Sequence, residues 1–405
     1  MYIMKYCADG RSCFSLRKDR EKGEKMEKKW LGLEALEQFA EEHFEETLDL
    51  LRTIGKIPAP SHMEERRAEF CRDWLKEQGA QSVEIDAAKN VVCKIPGETD
   101  SIVVIMAHTD VVFSDMEELP MKEENGKLYA PGIGDDTANL ANLLMSAKYM
   151  LEKGLKPHDT LLFVANSCEE GLGNLKGSRQ IYQDYGPKIR EWISFDGYLG
   201  QNTNRAVGSY RYNVTVRTMG GHSYSNFGRD NSIAVLADMI HELYQIKPPT
   251  REKTTYNVGV IEGGSTVNSI AQKASMLYEF RSADQGCLEE MEQNFHHVVE
   301  NFRARGFHVE VEVIGIRPGS GEVDEERLQA LTDANNAVME SCTHEAVKTT
   351  ASSTDANIPL SVGIPANTFG TVSGGLAHTR EEWIEIESMR PGLLIGLKTA
   401  VRYCS

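Results

Sequence analysis

The first regularity along the chain is helical. Leu36, Ala40, Phe44, Leu48 and Leu51 recur at three- and four-residue spacing, which predicts one helix over 33–51. Residues 64–78 predict a second, stopped by Gly79. The period then changes. Residues 101–106, 160–164 and 192–195 are continuous apolar runs of strand length, as expected for strands buried on both faces. Between the first two lies a helix with an apolar stripe of Leu140, Leu143, Leu144, Ala147 and Leu151. Strands of this kind alternating with helices predict an α/β sheet.

From Val207 the pattern changes again. Tyr212, Val214 and Val216 alternate with polar residues, the sign of a half-exposed strand. A helix on Ile233, Leu236, Ile240 and Leu243 follows, then strands over 254–261 and 273–282 and a helix over 288–305. A last strand, 307–314, alternates Val309, Val311 and Val313 with Glu310 and Glu312. The order β-α-β-β-α-β is that of the ferredoxin-like unit. After Pro318 a helix over 327–341 and a short strand over 364–369 restore the α/β character. The expected organisation is an α/β domain in two pieces, 27–206 and 317–405, interrupted by an inserted domain at 207–316. Residues 1–26 read as a flexible tail, with Met26 a candidate start.

Composition narrows the function. A net charge of -17 argues against a nucleic-acid partner. No stretch approaches the ~20 apolar residues of a membrane helix, and the N-terminus has no signal-peptide core, so a cytoplasmic protein off the membrane is expected. The eight cysteines contain no C-x-x-C pair, so a thiolate zinc site is not expected and reduced thiols are. Cys168 reads as a buried small apolar residue rather than a catalytic thiol.

Ligands of open α/β sheets lie beyond the carboxyl ends of the strands. Past the three predicted strands come His108-Thr-Asp110, Cys168-Glu169-Glu170-Gly171 and Asp196-Gly197. Gly134-Asp135-Asp136-Thr137 precedes the central helix, and Gly374-Gly375-Leu-Ala-His378 follows the late strand. Singly, each has a bland reading: a structural histidine, a solvated turn, a helix cap. Together they place imidazole and carboxylate where they converge, a donor set suited to a borderline divalent cation.

These motifs, in this order, resemble the M20 family of metallopeptidases, especially its peptidase T-like and glutamate carboxypeptidase-like branches. Gly220-Gly-His222-Ser, the stretch from Asn257 to Gly264 with Val267-Asn268, and Ser352-Ser-Thr-Asp355-Ala-Asn357 extend the resemblance. It implies a zinc-exopeptidase-like catalytic domain with a mixed sheet and a ferredoxin-like insertion serving as lid or dimerisation domain. The edge strands of such an insertion can pair into a homodimer, and a monomer with a hinged lid is the alternative. It implies two divalent metal ions, zinc first, with manganese or cobalt served by the same ligands. Asp135 would bridge them, His108 and Asp196 completing one site, Glu170 and His378 the other. Asp110 would orient His108 by accepting its second ring N–H. Glu169 would be the general base for a hydroxide between the metals. A cis Asp135–Asp136 peptide is expected.

His222 would be the lid histidine that reaches the active site, often across a dimer; on its own it reads as a turn histidine. Arg281 faces away from its strand's apolar side, either as an anchor for a substrate carboxylate or as an exposed strand arginine. Asn268 is a further substrate-contact candidate. One departure stands out: this family usually has Lys after Asp-Asp, whereas this chain has Thr137, expected to cap the helix. The implied activity is exopeptidase hydrolysis of a di- or tripeptide. The alternatives are an N-acyl-amino-acid amidohydrolase using the same metals and a catalytically silent binding protein.

Overall fold

The computed structural model describes residues 32–404. The tail expected at 1–26, the Met26 start, Cys7 and Cys13 lie outside the described residues. The centre is an eight-stranded mixed sheet in the order Val83–Ile85, Val91–Ile95, Asp159–Asn166, Thr99–His108, Ile189–Phe195, Ala366–Phe369, Gln201–Ala206, Lys348–Ser352. From Asp159–Asn166 through Ala366–Phe369 the strands run parallel. Antiparallel neighbours flank this block on both sides.

Alternation along the central strand explains its unbroken apolar run. Val103, Ile105 and Ala107 belong to one core cluster with Leu140 and Leu144 of the Ala138–Lys153 helix and Leu393 and Leu397 of the Met389–Val401 helix. Ile102, Val104 and Met106 belong to the cluster on the opposite face, with Ile181 and Leu360. The predicted helix over 33–51 is two helices, Leu33–Glu42 and Phe44–Lys56, broken at His43 (φ -106°, ψ 11°). The apolar stripe continues in phase across the break. Thr47 closes it, its N–H and hydroxyl donating to the His43 carbonyl at 2.9 and 2.8 Å.

Gly208–Arg217, Thr254–Gly263, Lys273–Ser282 and His308–Arg317 form a separate antiparallel sheet, with Lys273–Ser282 and Gly208–Arg217 in the middle. Ser232–Leu243 and Gln285–Ala304 pack against it, and Tyr212, Val214, Phe280, Leu236, Phe295 and Phe302 share one core. Both helices start at a side-chain cap, Asn231 and Asp284, each accepting a backbone N–H of the first turn. The two chain crossings between the sheets run side by side. A Cβ on Gly208 would fall 2.6 Å from the Gly319 nitrogen. Asn357 Nδ2 donates to the carbonyls of Val207 (3.0 Å) and Pro318 (2.9 Å), tying both crossings with one side chain. Among the described residues no helix is long and apolar enough to cross a membrane.

Candidate metal centre

The strand ends deliver the predicted donors to one place. His108 closes the Thr99–His108 strand, with its Nε2 3.1 Å from Asp135 Oδ1 and 3.9 Å from Asp196 Oδ1. His378 Nε2 lies 3.1 Å from Asp135 Oδ2 and 3.2 Å from Glu170 Oε1. Asp135 thus turns one oxygen to each histidine. Donor atoms of His108, Asp135 and Glu170 lie within 4.8 Å of one another, as do those of His108, Asp136 and Asp196. All five predicted ligands are therefore brought together, and Asp136 joins them. The Asp135–Asp136 peptide is cis, as expected.

Buried groups that the sequence reading passed over hold the donors. Glu382 accepts the backbone N–H groups of Gly132 (2.9 Å), Gly134 (2.8 Å) and Asp135 (2.7 Å), so one carboxylate organises the whole ligand loop. Gly132 is left-handed (φ +70°), and a Cβ there would strike Val111 Cγ1 at 2.3 Å. Asn139 Nδ2 donates to the carbonyls of Gly134 and Gly197, joining the Asp135 loop to the Asp196 turn. Thr137 does not cap the helix with its side chain. Its hydroxyl donates to the Gly132 carbonyl at 2.6 Å and accepts from the buried Arg67 at 3.3 Å. Arg67, absent from the sequence reading, also donates to the Thr109 carbonyl at 2.9 Å.

Asp110 departs from the expected picture in detail. His108 Nδ1 lies 3.0 Å from the Asp110 backbone carbonyl and 3.5 Å from its carboxylate. The carboxylate also accepts the N–H groups of Glu169 (2.9 Å) and Glu170 (3.0 Å) and the Ser61 hydroxyl (2.6 Å). It orders the Glu169–Glu170 backbone more directly than the imidazole. Cys168 is buried, its sulfur against Glu64 and His62, and burial pushes its thiol up to about 12. It is no thiolate ligand, in line with the bland reading.

The electrostatics fit a cationic occupant. Hydrogen bonds to Asp135 and Glu170 push His378 up to about 11. Burial, then the nearby Asp135, pushes Asp196 up to about 8. Burial also drives Asp136 and Glu169 well above the carboxylate range. Asp136 Oδ1 is buried and accepts no hydrogen bond. Imidazoles and crowded carboxylates with an unsatisfied oxygen suit two divalent cations, which would relieve the repulsion. A pH dependence follows. His378 and Asp196 must lose protons to act as ligands, so a divalent cation should release protons on binding at pH 7, and affinity should rise as pH climbs through about 8. Titration calorimetry in buffers of different ionisation enthalpy reads this, and zero net release would contradict the protonation described.

A cleft of about 750 Å³ opens over the cluster. Glu169, Glu170, Asp135, Asp196 and His378 line it, as do Arg211, Arg281 and Arg317 of the inserted sheet. His222 and Asn268 do not line it. They sit together on an exposed corner of the insertion, where Gly221–His222 pairs with Ser269–Ile270 and Ser223 N donates to the Asn268 carbonyl at 3.0 Å.

Imidazole and carboxylate donors at the carboxyl edge of an α/β sheet, beside a buried glutamate, are the equipment of a metal-dependent hydrolase. The chain belongs to peptidase family M20/M25/M40, whose family model matches residues 104–402. A succinyl-diaminopimelate desuccinylase from Corynebacterium glutamicum is 26% identical over 84% of this chain and 92% of its own length. A tripeptidase from Staphylococcus aureus shares the fold at a TM-score of 0.71 and 19% identity, over 89% of this chain and 99% of that one. So does a dinuclear metal-binding M20 peptidase from Bacillus subtilis, at 0.62 and 15%, over 90% and 100%.

Proposed function

We propose that the protein is an exopeptidase that hydrolyses the amide bond of a di- or tripeptide whose free carboxylate is held by Arg281. The observation that carries this is the double lining of one cleft: the histidine–carboxylate cluster with Glu169, and the arginines of the inserted sheet. Arg211 and Arg281 both pair with Glu279, at 3.3 and 3.1 Å. Two guanidiniums sharing one carboxylate leave a positive charge for a substrate anion.

Asp135 would bridge two divalent cations, zinc first among them, with His108 and Asp196 on one side and Glu170 and His378 on the other. When bound, these cations would lower the pKa of water towards ~7 and polarise the scissile carbonyl. Glu169 takes the proton from the attacking water and returns it to the leaving amine. Asp110 fixes the Glu169 and Glu170 backbone. The inserted stretch acts as the lid, its last strand running one residue past the expected boundary at 316, to Arg317. His222 belongs to a homodimer contact, because Tyr224 and Phe227 beside it are almost fully exposed and Thr254–Gly263 is an edge strand. Cys71, Cys93, Cys168, Cys287 and Cys342 are free thiols, which suits a reducing cytoplasm.

A second reading, release of an acyl group from an amino acid, draws support from the desuccinylase relative. A panel of tripeptides, C-terminally amidated tripeptides and N-acyl amino acids, each with zinc, manganese or cobalt, separates the two. Arg281→Ala should raise KM about 10–100-fold for a free-carboxylate peptide, the ~1.5–3 kcal/mol of a charged hydrogen bond. It should leave the amidated peptide unaffected. No turnover of any amide with any metal would end the reading.

A further inference from the structure

The loop that carries Glu169 and Glu170 has an unusual backbone. Cys168 (φ 58°), Asn174 (φ 55°) and Leu175 (φ 57°) are non-glycine residues in the left-handed region, with Gly171 (φ 50°) between them. Such residues are uncommon and persist where their surroundings over-determine them. Part of that determination is internal: Leu175 N donates to the Cys168 carbonyl at 3.0 Å and Gly173 N to the Glu170 carbonyl at 2.8 Å. Asp110 adds the two backbone contacts described above.

The rest comes from the inserted sheet. Arg317, the last residue of the His308–Arg317 strand, is buried. It spends both ends of its fork on Glu169: Nη1 lies 3.1 Å from Oε1, and Nη2 donates to the backbone carbonyl. Arg211 Nη1 donates to the Gly171 carbonyl at 2.8 Å. Asn174 Oδ1 accepts the Ile316 N–H at 2.9 Å. Three successive anchor points of one catalytic-side loop are therefore supplied by two adjacent strands of the insertion, Gly208–Arg217 and His308–Arg317. Arg281 pairs with Ser209 in the same register as Arg317 but from the other side of that strand, and its guanidinium donates to Glu279 rather than to this loop.

We propose that Arg317 is a positioning residue for Glu169, seconded by Arg211, so that the loop bearing the base takes its working shape from the docked inserted sheet. A planar, always-charged fork can hold a carboxylate and a carbonyl of the same residue at once, which a lysine ammonium on a flexible stem does poorly. Sheet orientation is thereby read directly at the proton-transfer group. The kinetic part of this inference rests on Glu169 being the base; the conformational part does not.

The decisive experiment is hydrogen–deuterium exchange on the full, zinc-loaded chain, comparing wild type with Arg317→Ala, Arg317→Lys and Arg281→Ala. Exchange at residues 169–175 should rise about tenfold or more in Arg317→Ala, as loss of a charged hydrogen bond allows. The rise should be smaller in Arg317→Lys and absent in Arg281→Ala. Unchanged loop exchange in Arg317→Ala overturns the proposal. Should that variant fail to fold, Arg317→Lys decides, since loop exchange identical to wild type there also overturns it. On a turned-over substrate, kcat of Arg317→Ala should fall with KM held within about threefold, and added guanidinium ion should restore part of kcat. A raised KM with unchanged kcat would make Arg317 a substrate anchor instead. A wild type that hydrolyses nothing would remove the proposed function, and the exchange result would still decide the loop.

Discussion

Glu169→Gln is expected to lower kcat by about 10²–10⁴-fold, the usual worth of a positioned general base, while the protein keeps its metals. The amide has nearly the shape of the carboxylate and still offers an oxygen to Arg317 Nη1, which stands 3.1 Å from Glu169 Oε1. The predicted ligands His108, Asp135, Glu170, Asp196 and His378 are untouched. What is lost is a group able to take a proton. Steady-state kinetics beside metal analysis separates the cases: reduced kcat at full metal content supports the assignment. Activity within about threefold of wild type at full metal content would mean that another group moves the proton. Glu169 is buried, and burial holds its carboxyl well above the usual range with Arg317 opposing that rise. The kcat profile of the wild type should therefore carry an acid limb that the Gln variant lacks.

The second large effect is expected at Asp135. Its two oxygens serve two histidines, Oδ1 at 3.1 Å from His108 and Oδ2 at 3.1 Å from His378. Asparagine has one carbonyl oxygen and cannot face both. Asp135→Asn should weaken cation binding at both positions by more than about 100-fold, since even outer partners of metal ligands cost about 10–100-fold. Calorimetry should show both binding events weakened together. Loss of one event with the other intact would show that Asp135 does not bridge. The fold should persist, because the loop is held through backbone N–H groups on Glu382 rather than through the Asp135 side chain.

The parts of the molecule legible in the sequence are those with an apolar period. The central parallel strands were legible because both faces are buried, and the ferredoxin-like order because its strands alternate. Gln201–Ala206 and Lys348–Ser352 carry no such signal: they are polar edge-side strands held by contacts such as Thr203–Thr350 (2.9 Å) and Asn202–Asn336 (2.8 Å). The break at His43 was hidden because Leu36, Ala40, Phe44 and Leu48 keep phase across it. At the site, donors that follow strand ends were legible by position. Glu382 was not, since it sits in the charged run Arg380-Glu381-Glu382 and its partners lie 247 to 250 residues away. Arg317 was hidden for the same reason, with Glu169 148 residues distant. His222 and Asn268 had a motif but no sequence rule says how far an exposed corner lies from a cleft.

The adjacency of the two crossings at Val207 and Pro318, tied by Asn357, has an evolutionary corollary. Entry and exit so close together make the intervening stretch an exchangeable cassette: a short loop, or a different module, could join the same ends without disturbing the eight-stranded scaffold. Substrate preference could then be swapped wholesale while the cation-binding chemistry stays put. Any replacement would have to bring its own guanidinium for Glu169, because the cassette's final residue is the one that grips it.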